Sequence, residues 1–247
     1  MAYLDATDAG LAASKAYVAA AAARAVGSGG VVLDLGCGLG HDLARLEAAG
    51  LTAIGLDTSA VMLGVARRRR GPSDRLVQAD GAGLPFASGS LDGCRIERVL
   101  QHVEQPEAVV AEVRRVLRPG GFVAIFEPDY LTFRVESDVV PDGSLPASML
   151  RVRHPAVGGR LVGLLSDAGF RIEDVVTESS RGYSVDLLPI ALDLVLTRAV
   201  ADGRLDGSLA ARWTDEQRRR TSAGTFRARW DKVLVIAGAP EADEASD

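Results

Sequence analysis

The sequence is poor in cysteine, histidine, lysine and aromatic residues, and each scarcity closes off a class of protein. Two cysteines, Cys37 and Cys94, are too few for a disulfide framework or a structural zinc site. The three histidines, His41, His102 and His154, show no metal-ligand spacing, so no metal is expected. No run approaches the roughly 18 apolar residues of a membrane span. The first residues carry no basic segment ahead of an apolar stretch, so no signal peptide is expected and a cytoplasmic location follows as the default. Lys15 and Lys232 are the only lysines, set against 26 arginines, and with 38 alanines this fits a high-GC coding bias. Neither sign of charge dominates: 28 basic against 33 acidic side chains gives −5. Four of those acids, Glu241, Asp243, Glu244 and Asp247, lie at the C-terminal end, which leaves a nearly neutral body. That balance disfavours an electrostatic nucleic-acid binder. The arginine runs at 67–70 and 218–220 read as solvated helix faces.

What is present is ordinary globular material. Hydrophobic residues make up 47% and charged residues 25% of a 247-residue chain. That is enough for one large or two small domains with a full core. An Ala-rich segment over 8–26 has high helix propensity. The continuous apolar run at 31–35 reads as a strand buried on both faces, and 52–56, 75–79, 91–96 and 122–126 read as further strands. Helical segments at 39–49, 59–70 and 107–117 separate them, with Ser59 placed to cap the second. This alternation predicts a doubly wound α/β sheet. Beyond residue 130 a connector is expected to 154, then a helix at 157–168, a strand at 170–177, helices at 187–201 and 209–220, and a last strand at 230–237.

The sharpest local signal is Asp34-Leu35-Gly36-Cys37-Gly38-Leu39-Gly40, which follows a strand and opens a helix. Glycines there allow a tight turn and close approach of backbone to ligand. A dinucleotide fingerprint needs Gly or Ala at position 41, where this chain has His41. Asp34 would repel a pyrophosphate but accept from an ammonium group. The loop therefore suits an amino-acid-bearing nucleoside better than a dinucleotide. Asp57 ends the second strand and can accept from both hydroxyls of a ribose. Asp80 ends the third, where it can accept from a purine amine with the Gly81 and Ala82 amides facing the ring. The plain alternative for all three acids is a helix cap or a loop.

These segments resemble the class I S-adenosylmethionine-dependent methyltransferases. The similarity runs from residue 31 through Gly40, Asp57, the stretch at 78–86, Leu91-Asp92-Gly93, Leu100-Gln101-His102-Val103, and 112–121. The resemblance implies a Rossmann-like, seven-stranded mixed sheet with the last strand antiparallel, plus a small helical cap or insert. It implies S-adenosylmethionine as cofactor. Asp34 and the backbone of Gly36 and Gly38 would hold its methionine part, Asp57 the ribose, and Asp80, Gly81 and Ala82 the adenine, with Cys37, Thr58 and Met62 also at the cofactor. Glu97 and Arg98 would flank the sulfonium. Arg98 departs from the small polar residue expected there. One domain is expected over 1–238: a helical lid at 1–28, a cofactor core at 29–128, and the substrate insert with the rest of the sheet at 129–238. Residues 239–247 would be a disordered acidic tail.

Methyl transfer needs a base only when the acceptor must lose a proton. The candidates are His102, Glu127 and Asp129; His102 alternatively serves a structural role in a helix, and the two acids alternatively cap a turn. Tyr17, Gln101, Tyr130, Arg134 and Tyr183 are candidate substrate contacts. The expected activity is methylation of an O, N or C atom of a small molecule of bacterial secondary metabolism, with no nucleic-acid or membrane partner, as a monomer or homodimer. The alternative is a non-methylating reaction, such as cyclisation or decarboxylation, that uses the bound cofactor as a fixed charge.

Overall fold

The computed structural model describes residues 12–71, 75–144, 152–182 and 196–241. Its strands are β1 (Val31–Leu35), β2 (Thr52–Asp57), β3 (Leu76–Gln78), β4 (Leu91–Glu97), β5 (Leu117–Val135), β6 (Arg171–Gly182) and β7 (Ala228–Gly238). They form one sheet in the order β3-β2-β1-β4-β5-β7-β6. The first five are parallel. Strand β7 runs the other way. Ala239 N donates to Gly121 O, whereas Asp231 N donates to Thr132 Oγ1 and Glu136 N to Arg227 O, so partner numbers fall as β5 advances. This is the mixed, Rossmann-like sheet the sequence implies, with its last strand antiparallel.

The helices are α1 (Ala12–Val26), α2 (His41–Ala48), α3 (Ala60–Arg70), α4 (Pro106–Val116), α5 (Val157–Asp167) and α6 (Gly207–Ser222). Their ends follow local chemistry. Gly27 closes α1 with φ 81, a left-handed conformation that suits glycine. Ser59 Oγ accepts from Met62 N at the start of α3, as expected. Asp206 caps α6 by accepting from Leu209 N at 2.8 Å.

The chain divides into two units. The first comprises Met1–Glu127, Arg160–Val176 and Val233–Asp247. Its core packs Val18, Ala19 and Ala22 of α1 with Val32, Leu43, Leu46, Leu63, Phe122 and Phe126. Each large apolar side chain buried there contributes roughly 1.5–3 kcal/mol. The second unit, Pro128–Gly159 and Thr177–Lys232, packs Phe133, Val135, Trp213 and Phe226 together. Phe133 meets Trp230 edge-on at 5.6 Å. Buried Glu216 accepts from Ser137 Oγ at 2.5 Å and Asp138 N at 2.6 Å, pinning the chain just beyond β5 to α6.

Three expectations need correction. The fifth strand is far longer than 122–126 and includes residues 130–135, which the sequence places in a connector. Pro128 is tolerated because β4 pairing ends at Glu97 and Phe126, so the missing N–H falls where that side of β5 has no strand partner. His102 lies in a turn, not a helix. The tail expected from 239 begins ordered: Gly120 N donates to the carbonyls of Ala239 and Pro240. Of the helix expected at 187–201, residues 196–201 are helical and the rest lie outside the described residues.

Candidate active site

Between β1 and β4 the strand order switches direction, and ligands of open α/β sheets bind beyond the strand ends at such a point. A cleft of about 210 Å³ opens there, lined by Asp34, Gly36, Gly38, Glu97, Arg98 and His102, with Cys37 beside the glycines. The glycine loop owes its shape to its composition. Gly36 and Gly38 have φ of 77 and 50. A Cβ on Gly36 would stand 2.2 Å from Val99 Cγ2. The loop amides turn inward: Gly36 N and Cys37 N both donate to Leu56 O, and Gly38 N donates to Asp57 Oδ2 at 2.9 Å. With those three donors spent, the loop is no phosphate cradle, which agrees with the case against a dinucleotide.

Asp34 is 1% exposed. In the parallel register it stands opposite Arg95, on the same face of the sheet. Arg95 Nη1 donates to Asp34 Oδ1 at 2.7 Å, and Asp34 Oδ2 is buried with no hydrogen-bond partner. Burial pushes this carboxyl upward, against the pull of Arg95. Burial works against the Arg95 charge in turn, but Asp34, Glu97 and Asp42 outweigh it and hold the guanidinium above its ordinary range. Arg95 Nη2 also bonds Glu97 Oε2 and lies 2.9 Å from Asp42 Oδ2. Lys15 Nζ reaches Asp42 Oδ2 at 2.6 Å and Glu97 Oε2 at 3.1 Å. Lys15, Asp42 and Arg95 line the cleft, and no sequence motif marks them. The available signal was Lys15 itself, one of two lysines in an arginine-rich chain, set in an apolar helix.

The ends of the next two strands carry the expected acids. Asp57, half-buried, accepts from Gly38 N and, through Oδ1, from Ser59 N at 2.8 Å. Thr58 is exposed and Met62 half-buried at the start of α3. Asp80 is exposed, and its Oδ1 accepts from Ala82 N at 2.9 Å. The Ala82 amide is therefore engaged by Asp80 and does not face outward as expected. Gly81 is buried against Leu35 and Val109.

The candidate bases separate by burial. His102 is exposed, and its imidazole is held below its ordinary range by partial burial and by Arg98. Arg98 has φ 56, the one left-handed side chain other than glycine among the described residues. Glu127 is 0% exposed. Its Oε1 accepts from Val99 N at 2.6 Å and Leu100 N at 2.7 Å, and burial raises the carboxyl to about 8. This placement corrects its candidacy as a base: Glu127 clamps the turn that carries Val99 and His102. Gln101 is 1% exposed, and neither of its side-chain amide atoms has a hydrogen-bond partner. Tyr17 points its hydroxyl away, donating to Asp174 Oδ2 at 2.6 Å. Asp129, Tyr130 and Arg134 belong to the second unit. There Asp129 Oδ1 accepts from Leu131 N, Tyr130 N donates to Pro155 O, and Arg134 Nη1 donates to Leu131 O at 2.8 Å. Tyr183 lies outside the described residues.

Residues 33–125 match the family model of a methyltransferase domain. The chain is 36% identical over 220 residues to an uncharacterized 37.1 kDa protein of transposon Tn4556 from Streptomyces fradiae, covering 84% of this chain and 62% of that protein. It is 39% identical over 102 residues to the demethylmenaquinone methyltransferase of Renibacterium salmoninarum, covering 41% of this chain and 43% of that one. The chain thus spans less than two thirds of the length of either relative. Among solved structures it resembles the [4+2]-cyclase SpnF, with a TM-score of 0.56 and 23% identity over 92% of this chain and 81% of that one; this likeness concerns the fold. Together the methyltransferase-domain match and these relatives support a class I S-adenosylmethionine-dependent methyltransferase.

Proposed function

We propose that the chain transfers a methyl group from S-adenosylmethionine to an O, N or C atom of a small-molecule acceptor. The observation that carries this is Asp34 Oδ2, a buried carboxylate oxygen without a partner in the glycine-loop cleft. A buried acceptor of this kind calls for a charged donor, and an amino-acid ammonium supplies one. Asp57 is the residue to hold the ribose hydroxyls. Each of its oxygens accepts one amide and keeps a second lone pair. Asp80, turned by the Ala82 amide, would meet the adenine amine. When bound, the cofactor supplies a methyl group on a sulfonium, with a neutral thioether as leaving group.

The protein's part is chiefly orientation. Glu127 holds the Val99 turn, and Val99 in turn packs at the close approach of Gly36. His102, an imidazole held below its ordinary range by partial burial and Arg98, can take the proton from an acceptor O–H or N–H onto a ring nitrogen. Asp129, Tyr130 and Arg134 remain candidates on the acceptor side. The near-neutral body supports a small-molecule acceptor over a nucleic acid, and the quinone-methylating relative supports an apolar one from bacterial metabolism. Calorimetry with S-adenosylhomocysteine tests the cofactor site; no binding ends the proposal. Transfer of labelled methyl to a panel of small acceptors tests the reaction, and a product of unchanged mass would support the non-methylating alternative instead.

A further inference from the structure

We propose that Arg98 selects the acceptor: its guanidinium receives an oxyanion, so the acceptor is an acidic oxygen compound, a phenol, an enol or a carboxylic acid, bound as its anion. The proposal rests on the cofactor reading above and deepens it by naming the substrate class.

Arg98 is half-buried, one residue past the end of β4, and lines the glycine-loop cleft. Its φ of 56 puts a long side chain on a backbone that glycine, asparagine and aspartate adopt more readily. The conformation is held from both sides. Arg98 N donates to Phe126 O at 3.0 Å, and the amides of Val99 and Leu100 donate to Glu127 Oε1. Strain of this kind persists only where the surroundings fix it, and it gathers at ligand sites.

The charges of the cleft wall define what this cation meets. Among the described lining residues the charged ones are Asp34, Asp42, Glu97, Lys15, Arg95 and Arg98. The first five are joined by direct ion pairs and carry three carboxylates against two cations, a net −1. That matches the single positive charge of a zwitterionic amino acid bearing a sulfonium. Arg98 adds one more positive charge, and Arg45, off this wall, adds another through Asp42 Oδ1 at 3.2 Å. Asp57 and Asp80 end β2 and β3, where the neutral ribose and adenine would lie. A loaded cleft is therefore positive on its Arg98 side, between walls that screen charge poorly. A cationic amine is repelled there. An oxyanion is drawn in and meets a planar fork of N–H donors that can bind it bidentately. The field of Arg98 already acts on this turn: after burial, it is the cause that holds the His102 imidazole below its ordinary range. A carboxylic acid arrives ionised. A phenol or enol passes its proton to a His102 ring nitrogen and keeps the electron pair on oxygen, where Arg98 stabilises the charge.

The test uses the chain loaded with sinefungin, whose amine cation stands in for the sulfonium, and three probes of one shape: benzoate, benzamide and benzamidine, which are anionic, neutral and cationic. In titration calorimetry wild type should bind benzoate roughly 10- to 100-fold more tightly than benzamide, the worth of a hydrogen bond to a charged group, and benzamidine most weakly. Bound 4-nitrophenol, followed by the visible absorbance of its phenolate, should ionise about 1–2 pH units below the free dye, the same factor read as acidity. Arg98→Asn, whose side chain suits the left-handed backbone, should lose both effects, melt no lower than wild type and still bind sinefungin. Arg98→Lys should keep part of the benzoate preference. Equal affinities for the three probes in wild type, binding of none of them, or a benzoate preference that survives in Arg98→Asn overturns the proposal. So does loss of sinefungin binding in Arg98→Asn, which would put the arginine on the cofactor, or melting below wild type, which would make it a packing residue. If wild type binds no sinefungin, the cofactor reading itself fails.

Discussion

Replacing Gly36 by alanine probes the glycine loop where its geometry is tightest. Two costs add. The residue has φ 77, so a side chain there pays for a left-handed conformation, about 1–2 kcal/mol. The new Cβ would also stand 2.2 Å from Val99 Cγ2. Val99 cannot retreat freely, because Glu127 Oε1 holds its backbone amide at 2.6 Å. Overpacking of this kind costs about 1–3 kcal/mol. The total of about 2–5 kcal/mol lowers the melting temperature by roughly 4–20 °C for a chain of this size. Gly38→Ala is the matched control: φ is 50, but nothing lies within 4 Å of its Cβ, so only the conformational cost of about 1–2 kcal/mol applies.

Differential scanning calorimetry on the two single variants, Val99→Ala and the Gly36→Ala/Val99→Ala pair separates the terms. Trimming Val99 removes the overlap, so the pair should be more stable than the sum of its singles by about 1–3 kcal/mol. Calorimetric titration should show weaker S-adenosylhomocysteine binding in Gly36→Ala that Val99→Ala restores in part. Equal melting temperatures for Gly36→Ala and Gly38→Ala, or strict additivity with Val99→Ala, would refute the close approach as the reason for glycine at 36.

Further outcomes follow from the same geometry. The Glu127 carboxyl is raised by burial from 4.5 to about 8 in the folded chain, so its contribution to stability is complete below pH 4.5 and is lost as pH climbs toward 8. Glu127→Gln should escape that loss, gaining on wild type by on the order of 4 kcal/mol between pH 5 and 8.5 in urea unfolding; parallel pH curves would disprove it. Asp57→Ala should weaken S-adenosylhomocysteine binding by roughly 10²- to 10⁴-fold in calorimetry, the worth of two hydrogen bonds to a charged group. With an O–H or N–H acceptor, His102→Asn should slow methyl transfer by roughly 10²- to 10⁴-fold while cofactor binding persists. Unaltered turnover would remove His102 from the chemistry.

What the sequence displays and what it hides divide along one physical line. Strand order, the glycine loop and the acids at strand ends depend on spacing along the chain, so Asp34, Asp57 and Asp80 are legible from the order of residues alone. Hydrogen bonding of those same groups depends on register and on which face a strand turns inward. Asp34 and Arg95 sit 61 residues apart and become neighbours only because Leu35 pairs with Ile96 across two parallel strands. The length of β5 depends on where β4 stops, which no local signal around Pro128 records. Glu127 is the instructive failure. An acid just after a strand reads as a base at the sheet edge, because most such ends face the crevice. Here the strand continues for eight residues, and the carboxyl turns into the core to gather the amides of the next turn. The charged residues that matter most around the cleft are therefore those whose partners come from other strands and helices. A carboxylate's surroundings, more than its place in a motif, decide whether it binds, positions or reacts.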